Sequence, residues 1–262
     1  HIYFFFFVPR QNLYQVSNQV KADHSKQDGR TSRFDVTLLI NGLPLVQIEL
    51  KKRGMEIAEA FNQTLRYSTQ AYKAGNGLFQ FIQLFVISNG VNTRYYANGT
   101  QHQEFTFPWA DIKNKAVNEI VDFAQVFLTH EHLNKMLWHY MVLLHASTPP
   151  SLMVLRPYQI YAVEKIVERV NSSQQNGYIW HTTGSGKTLT SFKASQIIMQ
   201  MPEVKKVLFV VDRNDLDTQT ANEFNAFKAE SVDSTTNTAN LIKQLSQNHD
   251  KLIVTTIQKL NK

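Results

Sequence analysis

The sequence predicts an α/β chain, and three stretches carry that prediction. Residues 34–40 and 45–51 read as two strands joined through an Asn41-Gly42 turn signal. Residues 178–180 form a short β-like run that feeds a glycine-rich turn and then a helix through Ile197 and Ile198. Beyond it, apolar strands at 205–211 and 251–256 alternate with helical segments, the pattern of a parallel doubly wound sheet. A length of 262 residues accommodates one large or two ordinary domains.

Composition narrows the class. A hydrophobic fraction of 43% with 18% charged residues fits packed cores and excludes a disordered chain. The net charge of +6 and pI near 9.3 point weakly to a polyanion partner. Zero cysteines exclude disulfides and thiolate metal sites, and agree with a cytoplasmic protein. The apolar run at 2–8 is too short to span a bilayer and lacks a basic leader and a small-residue cleavage site, so no membrane role is expected. Because the chain starts at His1 and not Met, a fragment of something longer is expected.

In the first half, residues 30–33 read as the end of a polar loop. On the strand at 45–51, Val46, Ile48 and Leu50 share one face while Gln47, Glu49 and Lys51 share the other. Such an alternating face is either simply solvated or, with Asp35 opposite, a metal-dependent nuclease core of the D…E-x-K type. In that core two carboxylates hold Mg²⁺, and the lysine steers the attacking water and steadies the charged transition state. Register sets a condition. An unbroken ladder from a two-residue turn would pair Asp35 with Ile48 and leave it on the face away from Glu49. A longer loop or a bulge between Ile40 and Leu45 is therefore expected, and Pro44 favours an irregular return.

Residues 55–73 read as a helix with Ile57, Phe61, Leu65, Ser68 and Tyr72 near one stripe. Gln63 and Tyr67 stand four apart on a neighbouring face, either as an ordinary surface amide and half-buried tyrosine or as a working pair. Gly75 and Gly77 stop the helix. Residues 78–87 read as a strand, Asn89-Gly90 as a turn, and 94–96 as a further short strand. The Lys51-Lys52-Arg53 run either tracks a phosphate backbone or is a solvated strand end.

Residues 109–145 read as one or two helices with a break near Thr129-His130. His102, His130, His132, His139 and His145 show no i, i+4 ligand face backed by a carboxylate, so surface histidines are expected there and not a metal site. Ser147-Thr-Pro-Pro150 is the linker candidate, since consecutive prolines cannot continue a helix.

The second half opens with Arg156-Pro-Tyr-Gln159 ahead of a helix at 160–170, with Pro157 suited to a helix start. Next comes the glycine-rich turn, Tyr178-Ile-Trp-His-Thr-Thr-Gly-Ser-Gly-Lys-Thr188. Gly184 and Gly186 let the backbone bend and aim its N–H groups into one concavity, which suits a phosphate chain. Lys187 adds a charge for the β/γ-phosphates, Thr188 a hydroxyl for Mg²⁺, and the helix start a favourable dipole. The cradle is expected over Thr183, Gly184, Ser185, Gly186, Lys187 and Thr188. Against the consensus G-x-x-x-x-G-K-[ST], His181 stands where the first glycine belongs. Hydrolysis also requires an acidic pair to hold Mg²⁺ and polarise water, together with an arginine. No Asp-Glu pair follows Lys187. ATP binding is expected of this chain, and translocation by it alone is not.

Asp35, Glu49-Leu-Lys51 and Gln63-x-x-x-Tyr67 together resemble the nuclease domain of the R (restriction and motor) subunit of type I restriction endonucleases. That family carries a PD-(D/E)xK-type nuclease followed by a superfamily-2 helicase motor. The resemblance spans roughly residues 30 to 260. It implies that Asp35 and Glu49 bind Mg²⁺, that Lys51 is the catalytic lysine, and that Gln63 and Tyr67 support the nuclease by placing DNA. It also likens Gln159 to the motor's adenine-reading glutamine, with Tyr158 stacking beside it. Asp212-Arg-Asn-Asp215 and Thr255-Thr-Ile-Gln258 resemble DNA-contacting helicase segments.

The implied organisation is an endonuclease domain at 1–108, a helical connector at 109–150, and a truncated first RecA-like ATP-binding lobe at 151–262. The implied activity is an ATP-dependent type I site-specific deoxyribonuclease, translocating and cleaving unmethylated double-stranded DNA with methylation (M) and specificity (S) subunits. Only 34 residues precede Asp35, fewer than in the family. Two alternatives stand beside this reading. A type III restriction subunit usually places the nuclease after the motor, whereas Glu49 precedes Lys187. A non-cleaving DNA-dependent ATPase or binding module would not need Asp35, Glu49 and Lys51 intact.

Overall fold

The computed structural model describes residues 11–23, 31–68, 77–145, 150–173, 175–211, 225, 238–246 and 252–261. The chain divides into two compact units, His1–Met141 with Ser151–Pro157 and Val142–Pro150 with Tyr158–Lys262. Both mix helices and strands. No described helix is long and apolar enough to cross a membrane.

The first unit is built on five strands hydrogen-bonded in sequential order: β1 (Tyr14–Asp23), β2 (Thr31–Ile40), β3 (Leu43–Leu50), β4 (Leu84–Ser88) and β5 (Thr93–Ala97). All neighbours are antiparallel except β3 and β4. A parallel pair cannot close through a hairpin, and the crossover between them contains α1 (Ile57–Arg66). The helix buries Ala60, Phe61 and Thr64. Phe61 meets Phe34, Tyr67, Phe85 and Tyr96 in one buried cluster. The expected helix at 55–73 is thus realised over 57–66, and its continuation beyond 68 lies outside the described residues.

Two sequence expectations change here, and one open alternative closes. Residues 31–33, read as loop, are strand, because β1 supplies a partner ladder that pairs Thr31 with Asp23 and Arg33 with Lys21. The run at 78–87 splits: Leu78–Phe81 is a 3₁₀ turn and only 84–88 is strand. Continuous apolar runs carry no period to tell the two apart. Gln83 N–H closes onto Leu45 O at 2.9 Å, just before β4 joins β3. The face of Gln47 and Glu49 is not solvated, with those side chains' residues 0% and 1% exposed.

The β2–β3 turn decides the register. Asn41 and Gly42, at φ +52° and +81°, form the two-residue turn, and Ile40 pairs with Leu43. A bulge follows at once: Leu39 pairs with Pro44 but Leu38 pairs with Val46, leaving Leu45 as the extra residue. Val36 consequently faces Ile48, and the next step along the ladder brings Asp35 to Glu49. The expected bulge is present, and the expected longer loop is not.

After β5, the short strands β6 (Trp109–Ala110) and β7 (Ala116–Val117) lead to α2 (Ile120–Phe127) and α3 (His130–His139). The break between the helices falls at Thr129, whose hydroxyl accepts from His132 N–H at 3.2 Å as an N-cap. His132 departs from the expected surface position. Its ring lies 4.5 Å from Trp109 and 4.9 Å from Phe127, and its Nε2 is buried without a hydrogen-bond partner among the described residues. Burial lowers its pKa to about 4, with the Lys135 charge adding to the effect.

A base with a lowered folded pKa contributes stability that is present above its ordinary value of 6.5 and lost as pH falls toward 4. The contribution is at most about 3 kcal/mol. His132→Phe is expected to reduce the loss of melting temperature between pH 7 and pH 4. An unchanged acid profile would remove His132 from the account.

Short strands β8 (Met141–Leu144) and β9 (Ser151–Val154) flank the linker candidate, of which 146–149 lie outside the described residues. The second unit contains α4 (Pro157–Ser172), α5 (Lys187–Ile198), β10 (Val207–Val211), α6 (Thr238–Ser246), β11 (Leu252–Thr256) and α7 (Ile257–Leu260). β10 and β11 pair in parallel, from Val207 with Leu252 to Val211 with Thr256, as the alternating pattern predicts. The expected strand at 178–180 is absent. A strand needs a neighbouring backbone to pair with, and Tyr178 and Trp180 instead stand 89% and 87% exposed. Asp212–Asp215, the expected helix through Phe224 and most of the polar stretch at 231–238 lie outside the described residues.

Candidate active sites

The bulge in β2–β3 builds the first site. Asp35 accepts a hydrogen bond from Leu50 N–H at 2.9 Å, which fixes its carboxylate against β3. Glu49 is 1% exposed, and its Oε1 accepts from Lys51 Nζ at 3.3 Å while its Oε2 is buried with no donor among the described residues. Burial and then the neighbouring Asp35 charge raise the Glu49 pKa, Lys51 only partly offsets the two, and the net value is about 7. A buried carboxylate oxygen without a donor beside a second carboxylate is costly unless a proton or a cation satisfies it. The donor set is hard oxygen, which suits Mg²⁺.

α1 supplies the rest. Lys51 Nζ also donates to Gln63 Oε1, Gln63 Nε2 donates to the Tyr67 hydroxyl, and Tyr67 donates to Arg33 O at 2.9 Å. Tyr67 is buried and meets Phe34 edge-on at 4.8 Å. The Gln63–Tyr67 spacing therefore produces a hydrogen-bonded chain that runs from β2 through α1 to the ammonium of Lys51. All five residues singled out in this half come together. Spacing did not indicate two further buried features. Thr37 donates to Gln47 Oε1 at 2.8 Å in the same hairpin, and Thr64 shares a short hydrogen bond with Tyr96 beside α1. Polar residues at alternate strand positions were the only trace of the first.

The second site is the loop ahead of α5. Gly184 and Gly186 have φ of +76° and +74°, and Gly186 is the N-cap of α5. Lys187 Nζ and Ser185 Oγ both donate to Thr182 O, at 3.1 and 2.8 Å. Thr183 and Gly184 are exposed, and Thr188 is partly exposed at the first turn of the helix. His181 lies beside Tyr158, its pKa lowered by burial and then by the Lys187 charge. Gln159 is 4% exposed and donates to Ser185 O at 3.2 Å, while the Tyr158 hydroxyl donates to the same oxygen at 2.9 Å. The residues expected at an adenine thus also contact the loop itself.

Known proteins match both halves. Residues 6–104 match the family described as the type I restriction enzyme R protein N terminus, and 158–262 match the SWI2/SNF2 ATPase family. The chain is 53% identical over 254 residues to a type I restriction enzyme endonuclease subunit of Staphylococcus saprophyticus, covering 96% of this chain and 26% of that one. A counterpart in Staphylococcus aureus is 51% identical over the same length and shares. The C-terminal part of such a subunit from Mycoplasma pneumoniae is 43% identical over 166 residues, 59% of this chain and 79% of that one. The chain spans about a quarter of the length of the staphylococcal relatives. It belongs to the endonuclease (R) subunits of type I restriction enzymes.

Proposed function

We propose that this chain carries the nuclease and the start of the motor of a type I restriction endonuclease. The nuclease, a PD-(D/E)xK-type domain at about residues 1–108, cuts unmethylated double-stranded DNA. A connector at 109–150 leads to a RecA-like lobe from 151 that binds ATP as the first part of the translocating motor. M and S subunits supply methylation and sequence recognition. The observation that carries the nuclease reading is the bulge, because it sets Asp35 and Glu49 together beside Lys51 with a buried Glu49 oxygen left for a cation.

Asp35 and Glu49 would hold Mg²⁺, which supplies Lewis-acid stabilisation of the phosphoryl oxygens and acidifies water. Leu50 N–H pins Asp35, so that its second oxygen keeps one orientation. Lys51, held between Glu49 and Gln63, places a positive charge where the attacked phosphate gains negative charge. Thr183 to Thr188 would cradle the triphosphate of ATP, with Lys187 leaving Thr182 O for a phosphate oxygen and Thr188 available to a second Mg²⁺.

The pKa of Glu49 gives this reading a test. Glu49 would have to lose its proton to hold a cation, so metal affinity would rise with pH through about 7. Without metal the sign for folding is opposite. The carboxyl's contribution to stability is full below its ordinary 4.5 and lost as pH rises through about 7. Cleavage by the assembled enzyme is expected to need about tenfold more Mg²⁺ for half-maximal rate at pH 6 than at pH 8. Equal Mg²⁺ requirements at the two pH values would contradict a metal held by Glu49.

A further inference from the structure

The phosphate loop departs from its consensus at His181, and the start of α4 lies beneath that departure. The Tyr158 ring meets the His181 ring edge-on, with centroids 6.0 Å apart at 79°. Its hydroxyl reaches past that contact to donate to Ser185 O at 2.9 Å. Gln159 Nε2 donates to the same oxygen at 3.2 Å and approaches Gly186 O at 3.5 Å. Two consecutive side chains of one helix therefore converge on a single loop carbonyl.

The geometry points to Tyr158 as a positioning residue that braces the phosphate cradle, acting on the triphosphate and not on the base. A trans peptide is planar, with C=O and N–H on opposite sides. Drawing Ser185 O toward α4 therefore turns Gly186 N–H the other way, out of the loop's far side, where an anion at the start of α5 would meet it. Gly186 is tied to the same brace. A Cβ at that position would lie 2.5 Å from Gln159 Nε2, so a side chain there would push the Gln159 amide off the loop. The backbone at Gly186 is left-handed as well, at φ +74°. His181 in place of glycine fits this arrangement, since its ring supplies the surface against which Tyr158 is set.

This inference rests on the reading of 183–188 as a triphosphate site, and the experiment separates the two. Binding of ATP, GTP and inorganic tripolyphosphate is measured on the full-length subunit as wild type, Tyr158→Phe and Lys187→Ala. Tyr158→Phe keeps the ring against His181 and deletes one hydrogen bond. It is expected to weaken all three ligands alike, by about fivefold, at unchanged melting temperature. A merely structural tyrosine would shift the melting temperature, and a base-stacking one would weaken ATP or GTP but not tripolyphosphate. Either result overturns the brace, as does wild-type binding by Tyr158→Phe. If Lys187→Ala binds tripolyphosphate as well as wild type, or wild type binds none, the triphosphate site itself falls and the brace with it.

Discussion

Lys51→Ala is expected to reduce DNA cleavage by the assembled enzyme at least about a hundredfold while DNA-stimulated ATP hydrolysis continues. The size follows from where the ammonium sits. Lys51 bonds to Glu49 at 3.3 Å and to Gln63, its side chain is only 16% exposed, and Gln63 is itself held by Tyr67. Such a charge is preorganised, so it stabilises the transition state without reorganising as the reaction proceeds. Removing it also takes away the hydrogen bond that Glu49 Oε1 accepts from Lys51, which increases the proton's advantage over a metal. Lys51→Arg is not expected to rescue, because the planar guanidinium cannot occupy the same point between Glu49 and Gln63. The measurement is plasmid linearisation against ATP hydrolysis on the same preparation. Loss of both activities would show that Lys51 serves the fold and not the cut.

Lys187→Ala is expected to abolish ATP hydrolysis and, with it, cleavage. A phosphate loop offers N–H groups and one mobile charge to the β/γ-phosphates, and the N–H groups alone do not replace that charge. Lys187 now donates to Thr182 O at 3.1 Å, a contact it can exchange for phosphate without disturbing the two glycine turns. The effect on cleavage is indirect, since the hydrogen bonds that hold Asp35, Glu49 and Lys51 in place run to Leu50, to Gln63 and between Lys51 and Glu49. Cleavage persisting in Lys187→Ala without ATP hydrolysis would break the proposed coupling of motor to nuclease.

The two sites were legible in the sequence to different degrees, and the reasons are physical. Alternation along β3 placed Glu49 and Lys51 on one face, and the register condition on Asp35 follows from the sequence, because a one-residue slip reverses every side chain. The bulge at Leu45 then met that condition. Burial of the face was not legible. A period of two says which residues share a side and is silent on what covers it, and here Gln47 and Glu49 are sealed from solvent. β1 escaped notice because its residues are mostly polar, with Val16 71% exposed, and the ladder to β2 holds it through backbone bonds that any sequence can make.

Around the loop, Gly184, Gly186 and the start of α5 were read from sequence, because left-handed turns restrict residue type sharply. The strand expected at 178–180 was misread from short-run propensity, since pairing is a property of the neighbour and not of the run. The partnership of Tyr158 with Ser185 was invisible, because a hydroxyl bonded to a main-chain carbonyl 27 residues away leaves no mark in spacing. Sequence reading also put His132 on the surface, where the aromatic ring packing of Trp109 and Phe127 instead encloses it.

The central claim is a division of labour, with cutting at Asp35, Glu49 and Lys51 and ATP use at the Lys187 loop. The most direct measurement follows both activities in a single reaction, using supercoiled unmethylated plasmid, Mg²⁺ and ATP, with the assembled enzyme carrying Asp35→Ala. The account predicts ATP hydrolysis near the wild-type rate with no linear product. Linear product at the wild-type rate, or loss of hydrolysis together with cleavage, would contradict it.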